Sequence, residues 1–248
     1  MTKYILCFSG GKDSTAMLIH ILETGLPLDE ILYVDVGDWM WECASDHLNQ
    51  IRETFDVEIT VLDVADELKK GFERWGFPSF FNRWCTGVKR IAMRDYLREK
   101  YGEEHIIQYV GYCSDEVKRS DKQLYTTGDT EYPLIDASIT TEDALRICKE
   151  HGFDFGGIYE HHQHFNCWMC PLQSVGELEW VFNNEPQKWN RLIEMQLQTD
   201  GSYYHYKTIF GFTEQFWKKN HKKLEQKRMD ARKKYNEGKR KPKTKKKG

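Results

Sequence analysis

The residues best suited to chemistry form the string Ser9-Gly10-Gly11-Lys12-Asp13-Ser14 near the N-terminus. The apolar run 4–8 before it predicts a buried strand, and apolar residues at helical spacing predict a helix over 15–23. A strand that turns through two glycines into a helix exposes backbone N–H groups at the positive end of that helix. Two serine hydroxyls and the Lys12 ammonium add donors. The string therefore predicts a phosphate-binding loop, although it is neither a Walker A nor a dinucleotide motif.

Strands and helices alternate along the rest of the chain. Apolar runs predict strands at 30–36, 57–64 and 105–111. Helical periodicity is found in five further segments: 41–55, 88–101, 141–151, 175–183 and 186–198. This alternation predicts an α/β, Rossmann-like, doubly wound parallel sheet with a helical C-terminal extension. Ligands of such sheets bind at the carboxyl ends of the strands.

Length and charge divide the 248 residues into three predicted regions. A nucleotide-binding domain spans 1–172, a helical extension packed on it spans 173–217, and a basic, partly disordered tail spans 218–248. The tail holds sixteen Lys and Arg against three acids, a net charge of +13, so that 1–217 carries −16 of the overall −3. A basic tail on an acidic body suggests contact with nucleic acid, and a solubilising tail is the alternative. Residues 218–235 could continue as a charged helix, and 239–248 should be disordered.

The cellular setting is predicted from cysteine usage and hydropathy. Seven cysteines, five of them far apart, suit a reducing cytoplasm better than a disulfide framework. No apolar run reaches about 18 residues, so no membrane span is predicted. The chain also opens on a strand rather than on a signal peptide. We therefore expect a cytoplasmic protein.

Four later segments carry side chains that suit a nucleotide or metal site. Asp35 and Gly37 end the second predicted strand, and residues 83–90, rich in anion-binding groups, open a helix. Gly111 begins a third segment, which continues through Cys113, Glu116 and Arg119. The fourth contains Tyr132-Pro133-Leu134, Ile158-Tyr159 and Cys167-Trp168-Met169-Cys170-Pro171.

In this order and spacing the chain resembles the phosphoadenosine-phosphosulfate (PAPS) reductase-like family of the PP-loop adenine-nucleotide alpha-hydrolase superfamily. The phosphate loop matches the S-G-G-x-D-S pattern of that superfamily, and the resemblance covers about residues 4–173. Within the family the chain looks most like a small bacterial and phage branch. The resemblance implies binding of ATP or PAPS, with Mg²⁺ neutralising the phosphates.

The resemblance also implies roles for individual residues. Those implied to bind nucleotide are Ser9, Gly10, Gly11, Lys12, Asp13, Ser14, Asp35, Gly37, Gly111 and Glu116. Those implied to act on the anion are Lys12, Asp13, Lys89 and Arg119. Cys85, Cys167 and Cys170 match cysteines that hold a [4Fe–4S] cluster in adenylylsulfate-reducing members.

Two departures from the family pattern bear on the chemistry. The family's Cys-Cys pair is Trp84-Cys85 here, so the fourth cluster ligand is missing, with Cys113 as one substitute. His161, His162 and His164 are alternative ligands, although a solvated surface is the commoner role of such a cluster. The chain also has no cysteine after Cys170, whereas the reductases use a C-terminal cysteine as nucleophile.

The cysteines and aromatic residues leave several interpretations open. A Cys-x-x-Cys pair holds zinc as often as iron–sulfur, and the thiols could be inert; we place iron–sulfur slightly ahead of zinc. Cys7 and Cys148 read as core residues, and Cys43 as structural. Five aromatic residues lie near Cys85 and either stack a base or, as the favoured alternative, close the core: Trp75, Phe77, Phe80, Phe81 and Trp84.

Three functions remain open. The first is an ATP pyrophosphatase-type enzyme that adenylates an acceptor and then transfers sulfur, aided by a sulfur donor protein. The second is a sulfonucleotide reductase whose reducing thiol comes from a partner. The third is a non-catalytic module that binds a nucleotide or nucleic acid.

Overall fold

Within residues 1–120, 128–203 and 207–239, which the computed structural model describes, five parallel strands form one sheet. Side chains are described for the same residues except 119–120 and 234–239. In chain order the strands are β1 (Thr2–Phe8), β2 (Glu30–Asp35), β3 (Ile59–Asp63), β4 (His105–Tyr109) and β5 (Asp129–Glu131). Their order across the sheet is β3-β2-β1-β4-β5. The direction of winding reverses between β1 and β4, so the ligand crevice of this fold lies at the carboxyl ends of those strands.

Helices flank the sheet and extend the chain beyond it. In chain order they are α1 (Lys12–Thr24), α2 (Cys43–Phe55), α3 (Ala65–Trp75), α4 (Trp84–Tyr101), α5 (Val117–Ser120), α6 (Pro133–Asp136), α7 (Thr141–Glu150), α8 (Val175–Asn184), α9 (Pro186–Gln196) and α10 (Ile209–Lys239). The predicted α/β class is confirmed, as are the predicted strands and long helices within a few residues. None of the described helices has the length and apolar character needed to cross a membrane.

Helix α4 covers one face of the sheet. Its Leu97 is buried with Ile5, Leu32 and Ile106 of three adjacent strands. Glu30, at the start of β2, ties the helix to the sheet, because its carboxylate accepts hydrogen bonds from the Tyr96, Tyr101 and Lys100 side chains at 2.6–2.8 Å. These contacts fix the C-terminal half of α4 on the sheet.

Helices α1 and α7 pack against each other. Helix α1 is buried through Ala16, Met17 and Leu18. Helix α7 begins with a capping box in which the Thr140 hydroxyl accepts from the Asp143 N–H and the Asp143 carboxylate accepts from the Thr140 N–H. This packing fixes the N-terminus of α1, where the phosphate loop lies.

The sequence did not predict α3 or β5. Helix α3 contains Gly71, which weakens a helical pattern, but the glycine is needed because a Cβ there would lie 2.4 Å from the Trp84 ring. Strand β5 has only three residues and two of them are acidic, so no apolar alternation marks it.

The chain divides into two compact units, Met1–Glu177 and Leu178–Gly248. In the second, Phe182, Trp189 and Phe216 form an aromatic cluster with ring centroids 5.1–5.8 Å apart. The predicted charged helix is confirmed as part of α10, which includes Lys239. Residues 240–248, in which we expected disorder, lie outside the described residues, and the domain boundaries at 172 and 217 stay predictions.

Candidate functional site

The phosphate loop joins β1 to α1 at the carboxyl edge of the sheet. Gly10 has a φ of +76°, a conformation that L side chains rarely adopt, and Gly11 is the extended residue before α1. Ser14 braces the turn, because its hydroxyl lies 3.0 Å from the Gly11 carbonyl oxygen and 3.2 Å from the Ser9 amide nitrogen. The two serines therefore support the loop backbone directly.

Lys12 is almost entirely buried, with 5% of its surface exposed. Its ammonium lies 3.0 Å from the Asp13 carboxylate and 5.5 Å from the centre of the Tyr159 ring. The backbone N–H of Lys12 donates to the Tyr159 hydroxyl at 2.7 Å. The side chain we expected to act as a point charge on a phosphate is thus paired with its neighbour.

Two aromatic side chains distant in sequence, Tyr159 and Phe165, cover the loop. A Cβ on Gly11 would lie 3.3 Å from the Tyr159 hydroxyl oxygen and 3.6 Å from the Phe165 Cβ. Three consecutive residues with left-handed backbone lead into this segment: Phe155, Gly156 and Gly157. Burial raises the pKa of Tyr159, so its phenol stays protonated. The motif pattern placed Tyr159 in the fourth segment but not at the phosphate loop, although the Phe-Gly-Gly run before it was a signal for an unusual turn.

A second group of side chains lies beside the loop on the β4 side. Asp13, Cys113 and Glu116 each bring one ligand atom within 4.8 Å of the others. The Cys113 thiol donates to the Asp13 carboxylate at 3.4 Å, and burial with that neighbouring charge raises its pKa to about 12. Gly111 permits this approach, because a Cβ there would lie 3.2 Å from the Asp13 backbone carbon. Arg119 belongs to α5, but its side chain lies outside the described set.

Asp35 and Gly37 form a braced turn after β2. The Asp35 carboxylate accepts from the Gly37 N–H at 2.9 Å. Gly37 has a φ of +58°, and a Cβ there would lie 2.9 Å from the Ala65 Cβ. Asp35 therefore holds the turn that lets α3 approach the carboxyl edge.

A cavity of about 510 Å³ opens between the loop, the end of β2 and the start of α4. Its wall contains Ser9 of the phosphate loop, Phe165, Lys89 and four cysteines, namely Cys7 and the three of the family pattern, Cys85, Cys167 and Cys170. Met40, Met93 and Met169 make much of the remaining wall apolar. Nucleotide-loop and cysteine side chains thus share one cavity, although 82 residues separate Cys85 from Cys167.

The three thiols affect one another electrostatically but are not tightly clustered. Burial raises the pKa of Cys167, against the effect of the Lys89 ammonium, and raises the pKa of Cys170 to about 12. Cys85 acts on both of them. Among the described residues, however, these three sulfurs do not all lie within 4.8 Å of one another. Cys113 is not among the residues that line the cavity.

Trp84, which stands where the resemblance places the first cysteine of a Cys-Cys pair, is a packing residue. Its ring is buried against Gly71 and lies 6.0 Å from the Trp39 ring and 5.8 Å from the Trp75 ring. The side chain therefore packs between α3 and α4.

Several sequence interpretations need correction. The aromatic group splits, since Phe77 and Trp84 are buried whereas Phe80 and Phe81 are exposed. His162, expected at a solvated surface, is buried with its ring 5.1 Å from that of Trp41. Cys7, expected in the core, is only half-buried and lines the cavity.

The match to a family model decides the family. The model of the phosphoadenosine phosphosulfate reductase domain matches residues 3–162, which include the phosphate loop and Lys89. The chain belongs to this family. The PAPS reductase resemblance seen in the motifs is thereby confirmed.

Curated relatives of this PAPS reductase family member are distant. The uncharacterized proteins MJ0066 and MJ1016 of Methanocaldococcus jannaschii are each 22% identical to it, over 75% and 76% of this chain. The alignments span 40% and 72% of those proteins. Among solved structures, it is similar to an NH3-dependent NAD synthetase from Campylobacter jejuni (TM-score 0.42, 13% identity, 87% of this chain and 84% of that one). It is also similar to the U34-tRNA thiolase NcsA from Methanococcus maripaludis with its [4Fe-4S] cluster (TM-score 0.43, 14% identity, 88% and 71%).

Proposed function

We propose that this protein is a PP-loop enzyme that cleaves ATP between the α- and β-phosphates and adenylates an acceptor oxygen. A sulfur nucleophile from the donor then bonds to the carbon that carries this oxygen, and the oxygen leaves with AMP. The observation that carries the proposal is the cavity in which Ser9 of the phosphate loop shares a wall with Cys85, Cys167 and Cys170. Nucleotide activation and thiolate chemistry require adjacent sites, and this cavity supplies them.

The loop is suited to the pyrophosphate end of ATP. The N-terminus of α1 directs backbone N–H groups and a partial positive charge to the loop. When the acceptor oxygen bonds to the α-phosphorus, the bond to the bridging oxygen breaks and pyrophosphate leaves with the electron pair. The loop N–H groups stabilise that charge once a phosphate oxygen replaces the Tyr159 hydroxyl as the acceptor of the Lys12 N–H.

Asp13 and Glu116 suit the Mg²⁺ that accompanies ATP. Their carboxylates are hard oxygen ligands, and Mg²⁺ prefers few protein oxygens together with water and phosphate. The third member of that group, the Cys113 thiol, stays protonated near neutral pH because its pKa is raised to about 12. We therefore assign Cys113 to a supporting role, as a donor to Asp13.

Cys85, Cys167 and Cys170 fit an iron–sulfur cluster better than a single zinc ion. Zinc ligands at about 2.3 Å require sulfurs within roughly 4 Å of one another. At least one pair of these sulfurs lies more than 4.8 Å apart, which is too far for ligands of one zinc ion and leaves room for the larger cluster. A cluster held by Cys85, Cys167 and Cys170 would have one iron without a protein ligand and would supply a place to hold sulfide. Lys89, also in the cavity wall, favours the thiolate form of Cys167.

A second candidate is reduction of PAPS with an external thiol, and membership of the PAPS reductase family favours it. The sequence lacks a cysteine after Cys170, so a partner protein or small thiol must supply the nucleophile. In the first function the α-phosphorus of ATP reacts and pyrophosphate is released. In the second the sulfur of PAPS reacts and sulfite is released.

Product analysis with ATP and PAPS tests both functions. ATP labelled at the α-phosphate is incubated anaerobically with the protein, Mg²⁺ and total RNA or denatured DNA as acceptor. We expect AMP or adenylated nucleic acid together with pyrophosphate, and loss of both in Gly11→Val, whose side chain would crowd the loop amides. ADP and phosphate would contradict α-phosphate chemistry. Sulfite from PAPS and dithiothreitol would establish the reductase, and binding without any product would establish the non-catalytic module.

A further inference from the structure

The loop between α3 and α4 holds two phenylalanine rings out in solvent. Phe80 is 71% exposed and Phe81 is 90% exposed. Their ring centroids lie 5.4 Å apart and the ring planes are nearly perpendicular. Exposing two adjacent phenyl rings to water is unfavourable, so this tip needs a reason beyond folding.

Two hydrogen bonds between Ser79 and Asn82 hold the tip as an ordered turn. The Ser79 N–H donates to the Asn82 carbonyl at 3.0 Å, and the Asn82 N–H donates to the Ser79 hydroxyl at 3.0 Å. Both ends of the loop are anchored by buried aromatic side chains: Phe77 packs on Phe72 at 5.2 Å, and Trp84 packs on Gly71. The anchors hold the loop while the turn presents Phe80 and Phe81.

The segment that contains the tip is basic in sequence. Residues 74–90 contain Arg74, Arg83, Lys89 and Arg90 and no acid, although residues 1–217 carry a net charge of −16. The loop also borders the cavity, because Pro78, Ser79 and Arg83 are part of its wall. Exposed aromatic faces within a basic segment are the combination that binds unpaired nucleic acid, through stacking and phosphate contacts.

We propose that Phe80 and Phe81 form a stacking platform for unpaired nucleobases, so that the substrate entering the cavity is a single-stranded segment of RNA or DNA. The inference rests on the proposed function for what happens after binding, but binding itself does not depend on it. A protein partner would need a larger apolar area than two rings, and the basic residues favour a polyanion.

Fluorescence anisotropy with the full-length protein tests the platform. The probes are fluorescein-labelled 15-nucleotide oligouridylate, oligothymidylate and an abasic strand of equal charge. The double variant Phe80→Ala/Phe81→Ala should bind the two base-containing strands at least about tenfold more weakly, since each stacked base contributes substantially. Binding of the abasic strand should change less than twofold, and the oligouridylate and oligothymidylate arms show whether RNA or DNA is preferred.

Two further variants separate stacking from simple apolar contact. Phe80→Tyr/Phe81→Tyr should retain wild-type affinity, whereas Phe80→Leu/Phe81→Leu should behave like the alanine variant. An unchanged affinity in the alanine variant, an equal loss for the abasic strand, or full retention by the leucine variant would overturn the proposal. Retention by leucine would indicate simple apolar contact with the bases instead of stacking. ATP affinity, measured by calorimetry on the same variants, should be unchanged. If the wild-type protein binds the strands but not ATP, the proposed enzyme function fails while the platform stands.

Discussion

The Tyr159 hydroxyl accepts a hydrogen bond from the backbone N–H of Lys12 at 2.7 Å, although 147 residues separate them. This N–H belongs to the first residue of α1 and is one of the donors that a bound phosphate would use. The hydroxyl therefore lies where a phosphate oxygen would accept this hydrogen bond.

Removing this hydroxyl should tighten nucleotide binding. In Tyr159→Phe the Lys12 N–H loses its protein partner, so a phosphate oxygen no longer competes for it. Because one neutral hydrogen bond is involved, we expect ATP affinity to rise about two- to tenfold in calorimetry. Tyr96→Phe, which removes a hydroxyl bonded to Glu30, is the matched control and should leave affinity unchanged. Weaker binding in Tyr159→Phe would instead make the hydroxyl a phosphate ligand.

A pair of glycine substitutions tests the close approach behind the loop. Gly111→Ala places a Cβ 3.2 Å from the Asp13 backbone, so the two segments must separate. We expect the free energy of unfolding to fall by about 1–3 kcal/mol and ATP affinity to fall with it. Gly87→Ala is the control in α4, where a Cβ meets nothing within 4 Å. Denaturant unfolding that leaves the two variants equally stable would contradict the packing described.

The phosphate loop could be predicted from sequence because its strand, glycines and helix are contiguous. Tyr159 could not, since only tertiary structure brings it to Lys12. For the same reason the shared cavity was expected only through the family resemblance. Composition also could not divide the aromatic segment: Trp84 is buried because Gly71 admits its ring, and Phe80 is exposed because the turn from Ser79 to Asn82 turns it outward.

Metal content should depend on Cys85, Cys167 and Cys170 and not on the other cysteines. Alanine at Cys85, Cys167 or Cys170 should lower the iron and sulfide bound per chain after anaerobic purification at least about fivefold, because thiolates are the cluster ligands. Cys113→Ala should retain both, since Cys113 lies against Asp13. Cys148→Ala is a second control, outside the cavity wall. Loss of iron in Cys113→Ala would instead indicate that Cys113 is a cluster ligand.

Stability should fall in mild acid through His47. Burial lowers the pKa of His47 to about 4, and its Nε2 lies 3.1 Å from the Thr15 hydroxyl. Between about pH 6.5 and pH 4 the unfolded chain binds a proton here that the folded protein does not, so stability present above pH 6.5 is lost as the pH falls. From pH 7 to pH 5 we expect His47 to account for a loss of about 2 kcal/mol.

Chemical unfolding at the two pH values checks this effect. His47→Gln should show a smaller pH dependence of the free energy of unfolding than the wild type. The exposed His164→Gln should retain the full dependence. An identical slope in all three proteins would remove His47 as the cause.

The basic C-terminal segment should contribute sequence-independent affinity for nucleic acid. Truncation after Lys233 removes eight basic residues and one acid. Fewer counterions are then released on binding, so affinity for a 15-nucleotide strand should fall and depend less steeply on salt. ATP affinity should be unchanged. Equal binding by the truncated and full-length proteins would make the segment a solubilising tail.

The central claim is that the phosphate loop and the cysteines Cys85, Cys167 and Cys170 form one site. Electron paramagnetic resonance tests it most directly. The spectrum of the reduced, anaerobically purified protein is recorded with and without saturating Mg²⁺-ATP. We expect an iron–sulfur signal whose g-values shift on addition of ATP in the wild type and do not shift in Gly11→Val. A cluster signal identical with and without bound ATP, or a protein that binds ATP and contains no metal, would contradict the account.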